Sequence, residues 1–282
     1  MQSKHQISIE QDWVQTLTIL AEAYERISIM KMQQVRSSVL TTRQFLEGLG
    51  EIFFDVKQSY KDQLEQMAKQ KLRQESKVVS VVLTANTSLY GNIIREVFNL
   101  FLKSHNRQNE VVVIGKIGKA MAEETKIRFT YFDLPDGHTL QDELGKIVAF
   151  LVQFDKVNVF YGKFANVVTQ VATVSSVSGE ETFQNESEQP QIQQIAFRFE
   201  PSLENIWQFF QNQVISSLFK QTVHEAELSR HAARIKAMEE VLSNTEKQAL
   251  KLRIAQRQFK NWLSNKKQIQ TIAGINLWKG KI

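Results

Sequence analysis

The segment Val111–Ala120, VVVIGKIGKA, is the stretch of this chain that most resembles a phosphate cradle. An apolar run leads into Gly115-Lys116-Ile117-Gly118-Lys119. A phosphate-binding loop needs four residues between its glycines, then Lys and a Ser or Thr whose hydroxyl holds Mg²⁺. Here two residues intervene, and Ala120 stands where the hydroxyl is needed. The spacing therefore reads as a tight turn from strand into helix. Histidine chemistry fares no better. His5, His105, His138, His224 and His231 show no metal-ligand spacing. His224-Glu225 opens like a zinc-protease helix, but the second His would fall at position 228, which is Leu228. His224 and His231 lie seven apart and read as a solvated stripe on one helix face. Asp133, Asp136, Asp142 and Glu143 cluster near a turn, as loop acids commonly do. The sequons at Asn86 and Asn185 mean nothing without a secretory route. The expectation is a chain with no catalytic residue, no cofactor and no metal.

Composition narrows the partners. The chain has 282 residues and no cysteine, which excludes disulfides, thiolate metal sites and cysteine nucleophiles. Net charge is +5 and the pI is about 9.2. Basic residues are interleaved with acids and never form a block of five or six, so an acidic protein partner is favoured over nucleic acid. The opening MQSKHQISIEQDW has no apolar core, so no secretory signal is expected. Apolar runs such as Val78–Leu83 are far short of the ~20 residues that span a bilayer. Membrane association is expected only through partners.

Eleven Gly and three Pro are few, which favours long elements. Gln2–Leu46 contains neither, and a helical pattern runs on to about Ser76. Ser202–Ala273 is likewise free of both. Helices this long need a partner for their apolar stripes, and pairing the two ends is the economical solution. In the first helix, Trp13, Leu17, Leu20, Tyr24 and Ile27 follow a heptad seam. It falters at Lys31 and Gln34, then resumes one step out of phase as Val35, Val39, Thr42, Leu46, Leu49, Phe53, Val56 and Tyr60. In the last helix the seam is Ile235, Met238, Leu242, Thr245, Ala249, Leu252, Gln256 and Phe259. Between the helices, strand and helix patterns alternate. Strands are expected at 77–84, 110–114, 127–132, 156–161 and 194–199, with further extended chain over 167–174. Helices are expected at 89–104, from Ala120, and over 140–154. That order favours a parallel sheet with covering helices. The fold class is α/β: a long antiparallel coiled coil of the terminal helices plus a central Rossmann-like domain with a mainly parallel sheet. The expected divisions are 1–75, 76–200 and 201–282.

In collinear order, the residues resemble the gamma subunit of F-type ATP synthases over nearly the whole chain. Ala23-Tyr24-Glu25 and Lys31-Met32 fall where that family has a similar A-M-E and K-M pair. VVLTANTSLYGNI (Val81–Ile93) is similar to its strand and polar turn, and Val113–Gly118 to its I-G-x-K-G turn. Lys163–Asn166 with Gln170–Val174 resembles its K-F-x-N and Q-x-P-T-I run. Phe199-Glu200-Pro201 matches its entry into the last helix. Ala232–Ile235, Ala237-Met238 and Asn244 resemble A-A-R-M-x-A-M with its later Asn, and Arg257-Gln258 its late Arg-Gln. Three places depart. L-C-G-G is reduced to Leu89-Tyr90-Gly91-Asn92, and the Glu before A-A-R is Arg230. The final I-T-x-E-L-x-E-I is poorly matched by Asn261–Ile272, where Trp262 and Lys266-Lys267 are unusual.

The resemblance implies a non-catalytic rotor shaft inside a ring of three alpha and three beta subunits. It also implies contacts to an epsilon subunit and a c-ring, and a peripheral place on the cytoplasmic face of a bacterial plasma membrane. Catalysis would reside in beta. Lys31, Met32, Arg36, Arg234, Arg253, Arg257 and Gln258 are then the expected partner contacts. Two alternatives stay open: a shaft of an ATPase motor without ion translocation, and a coiled-coil scaffold. An α/β enzyme with a helical arm would need convergent titratable groups in a pocket, and the sequence offers none.

Overall fold

The computed structural model describes residues 4–59, 77–105, 109–135, 141–177 and 203–279. The elements are α1 (Lys4–Ser59), β1 (Val78–Leu83), α2 (Ile93–Ser104), β2 (Glu110–Ile114) and α3 (Lys116–Glu124). Then follow β3 (Thr130–Phe132), α4 (Gln141–Leu151), β4 (Lys156–Phe164), β5 (Gln170–Ser176) and α5 (Leu203–Lys279). The strand expected over 194–199 and the seam positions beyond Ile52 lie outside the described side chains. The chain divides into two compact units, one of 1–27 with 235–282 and the other of 28–234.

In the unit of 28–234 the sheet order is β3-β2-β1-β4-β5. The first four strands are parallel and β5 returns antiparallel to β4. Burial alternates with the pleat. Val79, Val81 and Leu83 of β1, Val112 and Ile114 of β2, and Val157, Val159 and Tyr161 of β4 point to one face. There they meet Leu144, Ile147 and Leu151 of α4 and Ile215, Phe219, Val223 and Ala226 of α5. Val82, Val111, Val113 and Phe160 point to the other face, against Val97, Phe98 and Phe101 of α2 and Ala122 of α3. The C-terminal helix therefore begins as a covering helix of the sheet. At Gly162 an added Cβ would lie 2.8 Å from both Ser229 Oγ and Ile93 Cγ1, so only glycine lets β4 sit this close to its neighbours.

The local elements follow the expected alternation with shifted starts: α2 begins at Ile93, four residues after 89, β3 at Thr130, three after 127, and α3 at Lys116, four residues before Ala120. Gly115 turns the chain with φ 100°, a left-handed value that leaves β2 and enters a helix in one residue.

In the unit of 1–27 and 235–282 the two helices run antiparallel, with Gln11 Nε2 donating to Gln256 Oε1 at 3.5 Å. The buried and half-buried positions of α1 are Ile7, Gln11, Val14, Thr18, Ala21 and Glu25. This 4-3 spacing continues through Ser28, Met32, Val35, Val39, Thr42, Leu46 and Leu49 without a break. The expected first half of the seam is therefore one step wrong. Trp13 is 65% exposed, and Leu17, Leu20, Tyr24 and Ile27 are also on the surface. No phase slip exists, because the two halves share one register once the first is read correctly. Ala21 and Ser28 are buried on this seam, although their side chains are small. On α5 the buried positions Ile235, Met238, Thr245 and Leu252 lie on the expected seam.

Candidate functional site

Doubly wound sheets bind ligands beyond the carboxyl ends of their strands, where the strand order switches. In this chain that place follows β1, which has β2 on one side and β4 on the other. Thr84 stands there, buried. Its amide and its Oγ1 both donate to the Ile114 carbonyl, at 2.9 and 2.6 Å. The same Oγ1 accepts from Gly118 N at 3.0 Å. Ile117 N donates to Ala85 O at 3.0 Å, and Lys116 N to Asn86 Oδ1 at 2.8 Å. The leading amides of α3 are thus held by the loop after β1. A phosphate at a helix N-terminus needs those same donors. Gly118 sits against the loop so closely that a Cβ would meet Thr84 Oγ1 at 2.5 Å. Asn86 Nδ2 completes the knot, donating to Asp133 Oδ1 at 2.6 Å and Leu134 O at 3.0 Å.

The other side of this crest is closed by α5. Arg230 Nη1 donates to Thr84 O at 2.5 Å. What remains is a cavity of about 10 Å³ between Thr84, Ile114, Val223 and Arg230, room for one water at most. One turn on, Arg234 Nη2 donates to Ser88 O at 2.8 Å and to Thr87 Oγ1 at 3.0 Å. Its guanidinium lies 3.9 Å from the centre of the Tyr90 ring. The ligand position of the fold is therefore filled by two arginines of the chain's own last helix. In chemical terms the arrangement is a fastener between loop and helix.

The two histidines of α5 face inward as well. His224 and His231 are buried, which corrects the expected solvated stripe. His224 Nδ1 lies 3.5 Å from Glu227 Oε2, and His231 meets the Tyr90 ring edge-on at 6.4 Å. Their side chains share the packed side of α5 because this part of the helix has little solvent side. Tyr161 donates from its hydroxyl to Glu225 Oε2 at 2.8 Å. Burial pushes its phenol well above the ordinary value, and the Glu225 charge adds to the rise. Among the described residues no three His, Cys, Asp or Glu gather closely enough to hold a metal. No described helix is long and apolar enough to cross a membrane.

The expected partner contacts are scattered. Lys31 and Met32 are half-buried and Arg36 is exposed on α1. Arg253, Arg257 and Gln258 are exposed on α5. Arg234, by contrast, is 6% exposed and spends its guanidinium on the loop after β1. Sequence reasoning quoted Thr84, Asn86 and Tyr90 only within the Val81–Ile93 resemblance and gave none of them a structural role. Arg230 did leave a signal, as a basic residue where the resemblance calls for an acid. The exposed stripe of Trp13, Leu17, Leu20, Tyr24 and Ile27 was seen, but as a buried seam.

Known proteins place this arrangement. A family model described as ATP synthase matches residues 7–261. The ATP synthase gamma chain of Symbiobacterium thermophilum is 26% identical over 214 residues, 72% of this chain and 73% of that one. The gamma chain of Roseiflexus castenholzii is 26% identical over 248 residues, 82% of this chain and 83% of that one. A chain of the Euglena gracilis mitochondrial ATP synthase, solved with OSCP, F1 and c-ring in rotational state 3, has the same fold. Its TM-score is 0.64 at 15% identity, covering 97% of this chain and 95% of that one.

Proposed function

The chain belongs to the gamma-subunit family of ATP synthase, and on that premise we propose that it turns as the central shaft of a rotary ATPase. Its partners are alpha and beta subunits around the paired helices, with an epsilon subunit and a c-ring against the sheet-bearing unit. The shaft is peripheral, meets the membrane only through those partners, and stands on the cytoplasmic face of a bacterial membrane. Ion flow through the assembly couples to ATP synthesis or hydrolysis. The chain itself supplies no reacting group: its work is to present different faces to the catalytic subunits and so hold them in different states.

One observation carries this reading. In the unit of the paired helices, α1 buries a continuous seam of mostly small and medium residues and leaves a second stripe of large ones bare. Trp13, Leu17, Leu20, Tyr24 and Ile27 form an apolar surface that free chains rarely expose without a partner. A surrounding ring would cover it. Arg36, Arg253, Arg257 and Gln258 add polar contacts of the exposed kind, each worth at most about 1 kcal/mol. Weak contacts suit a surface that must slide, and Lys31 and Met32 would join them where the ring closes. The division into 1–75, 76–200 and 201–282 serves as a first map of which part meets which partner.

Coexpression with the alpha and beta genes of the same organism tests the proposal. The expected product holds one copy of this chain for every three beta subunits, and its ATPase turnover depends on the chain. A free, monodisperse chain beside unassembled alpha and beta would support a scaffold instead.

A further inference from the structure

The last helix serves both compact units. Up to Arg234 it belongs to the unit of 28–234, and beyond that residue to the unit of 1–27 with 235–282. In the first of these it lies on the sheet through Ile215, Phe219, Val223 and Ala226. Hydrophobic attraction is non-directional, so it resists the lifting of a helix more than its rolling.

Polar ties flank that apolar stripe. Glu225 Oε2 accepts from the Tyr161 hydroxyl of β4 at 2.8 Å. Arg234 Nη2 donates to Ser88 O at 2.8 Å and to Thr87 Oγ1 at 3.0 Å, in the loop after β1. At about 3.6 residues per turn, counted from Glu225, the four apolar residues fall between about 80° and 160° around the helix and Arg234 at about 180°. The stripe therefore lies between the two ties. A roll one way stretches the Tyr161–Glu225 bond, and a roll the other way stretches the bonds of Arg234. Hydrogen bonds weaken steeply when bent, and a carboxylate or guanidinium partner makes them stronger than neutral ones. Arg230, at about 140° and so in line with the stripe, reaches Thr84 O and holds the helix down from neither side. Gly162 lets the helix come within reach, since a Cβ there would lie 2.8 Å from Ser229 Oγ.

We propose that Glu225 and Arg234 are the positioning residues through which twist passes between the sheet and α5. Together they pin the helix in angle, so that rotation of the sheet reaches the paired helices without slip. This role rests on the shaft reading and adds to it the side chains that bear the load.

The test uses the assembled complex with alpha and beta, its ring fixed to glass. The chain has no cysteine, so Ser104→Cys at the exposed end of α2 takes a bead. With the ring paused by a non-hydrolysable ATP analogue, the angular fluctuations of the bead report how freely the sheet turns on a held shaft. Tyr161→Phe removes one tie and Arg234→Gln the other. Each should widen the angular distribution on one side, and the two should widen it on opposite sides. Val223→Ala weakens the stripe and leaves both ties, so it should lower the melting temperature without skewing the distribution. Glu225→Gln and Arg234→Lys keep an acceptor and a donor, and replace the stronger variants if those do not assemble. Their skews should have the same two senses and be smaller. Distributions that stay symmetric in the tie variants, or skew to one shared side, overturn the proposal and leave the shaft reading standing. A parent complex whose bead does not turn when ATP is supplied overturns the shaft reading, and the proposal with it.

Discussion

The guanidinium of Arg234 lies over the Tyr90 ring, 3.9 Å from its centre, while the same group donates to Ser88 O. One side chain thus grips both the backbone and the ring of the loop after β1. A desolvated cation–π pair is worth about 2 kcal/mol, and hydrogen bonds from a charged donor about 1.5–3 kcal/mol each. Arg234→Ala should destabilise the purified chain by about 3 kcal/mol in urea unfolding. Arg234→Lys should recover less than half, because an ammonium can neither stack nor fork. A cycle with Tyr90→Leu should show coupling of about 1–2 kcal/mol. Additive single and double variants would mean that the stacking is incidental.

Glycines separate tight places from open ones. A Cβ at Gly118 would meet Thr84 Oγ1 at 2.5 Å, Thr84 Cγ2 at 2.6 Å and Val113 Cγ1 at 2.9 Å. Gly118→Ala should cost about 1–3 kcal/mol, as overpacking does. At Gly145, inside α4, nothing lies within 4 Å. Gly145→Ala should instead stabilise by about 0.5–1 kcal/mol, the usual helix preference. Thermal unfolding of the two variants side by side reads both signs, and a shared sign would refute the packing assignment.

The bare stripe and the buried seam should respond oppositely to assembly. Leu252 is 5% exposed, and Leu252→Ala should cost the free chain about 2–5 kcal/mol. Trp13→Ala should change the free chain by no more than about 0.5 kcal/mol. In the complex with alpha and beta, Trp13→Ala should lower assembly or turnover. If Trp13→Ala instead unfolds the free chain, the stripe is part of the fold.

The buried phenol of Tyr161 makes stability fall in alkali. Its folded pKa is raised, chiefly by burial and then by Glu225. Its contribution is therefore fully present below the ordinary phenol value near ~10. It is lost as the pH climbs from there toward the raised folded value. At neutral pH Tyr161→Phe should cost about 1.5–3 kcal/mol, because Glu225 loses a donor. Above pH ~10 the gap between the two proteins should narrow. A gap that is flat across this range would place the Tyr161 hydroxyl in water.

Much of this was legible in the residues, and what was not failed for physical reasons. β1, β2 and β4 announced themselves because a sheet covered on both faces needs unbroken runs such as VVSVVL, which few other elements tolerate. The α1 seam misled because periodicity weighs residues by hydrophobicity, and the small or polar seam residues carry little such weight. Ala21 and Ser28 lie inside while Trp13 lies out. His224 and His231 looked solvated because spacing along α5 says nothing of what surrounds it. The crest was read from its spacing as a tight turn from strand into helix, which is how β2 passes into α3. The failed motif at Gly115–Lys119 could not show how the crest is closed, because the contact of Thr84 with Arg230 joins positions 146 residues apart.

The core on one face of the sheet is completed by Ile215, Phe219, Val223 and Ala226, which belong to α5 and not to the intervening chain. That fact bears on heredity as much as on folding. A gene segment encoding 77–177 alone would specify a sheet with one greasy side covered only in part, by α4, and its product should clump. Recombination therefore cannot trade this sheet between relatives as a cassette. The sheet and the first third of the last helix must be inherited together, and a substitution in either is judged against the other.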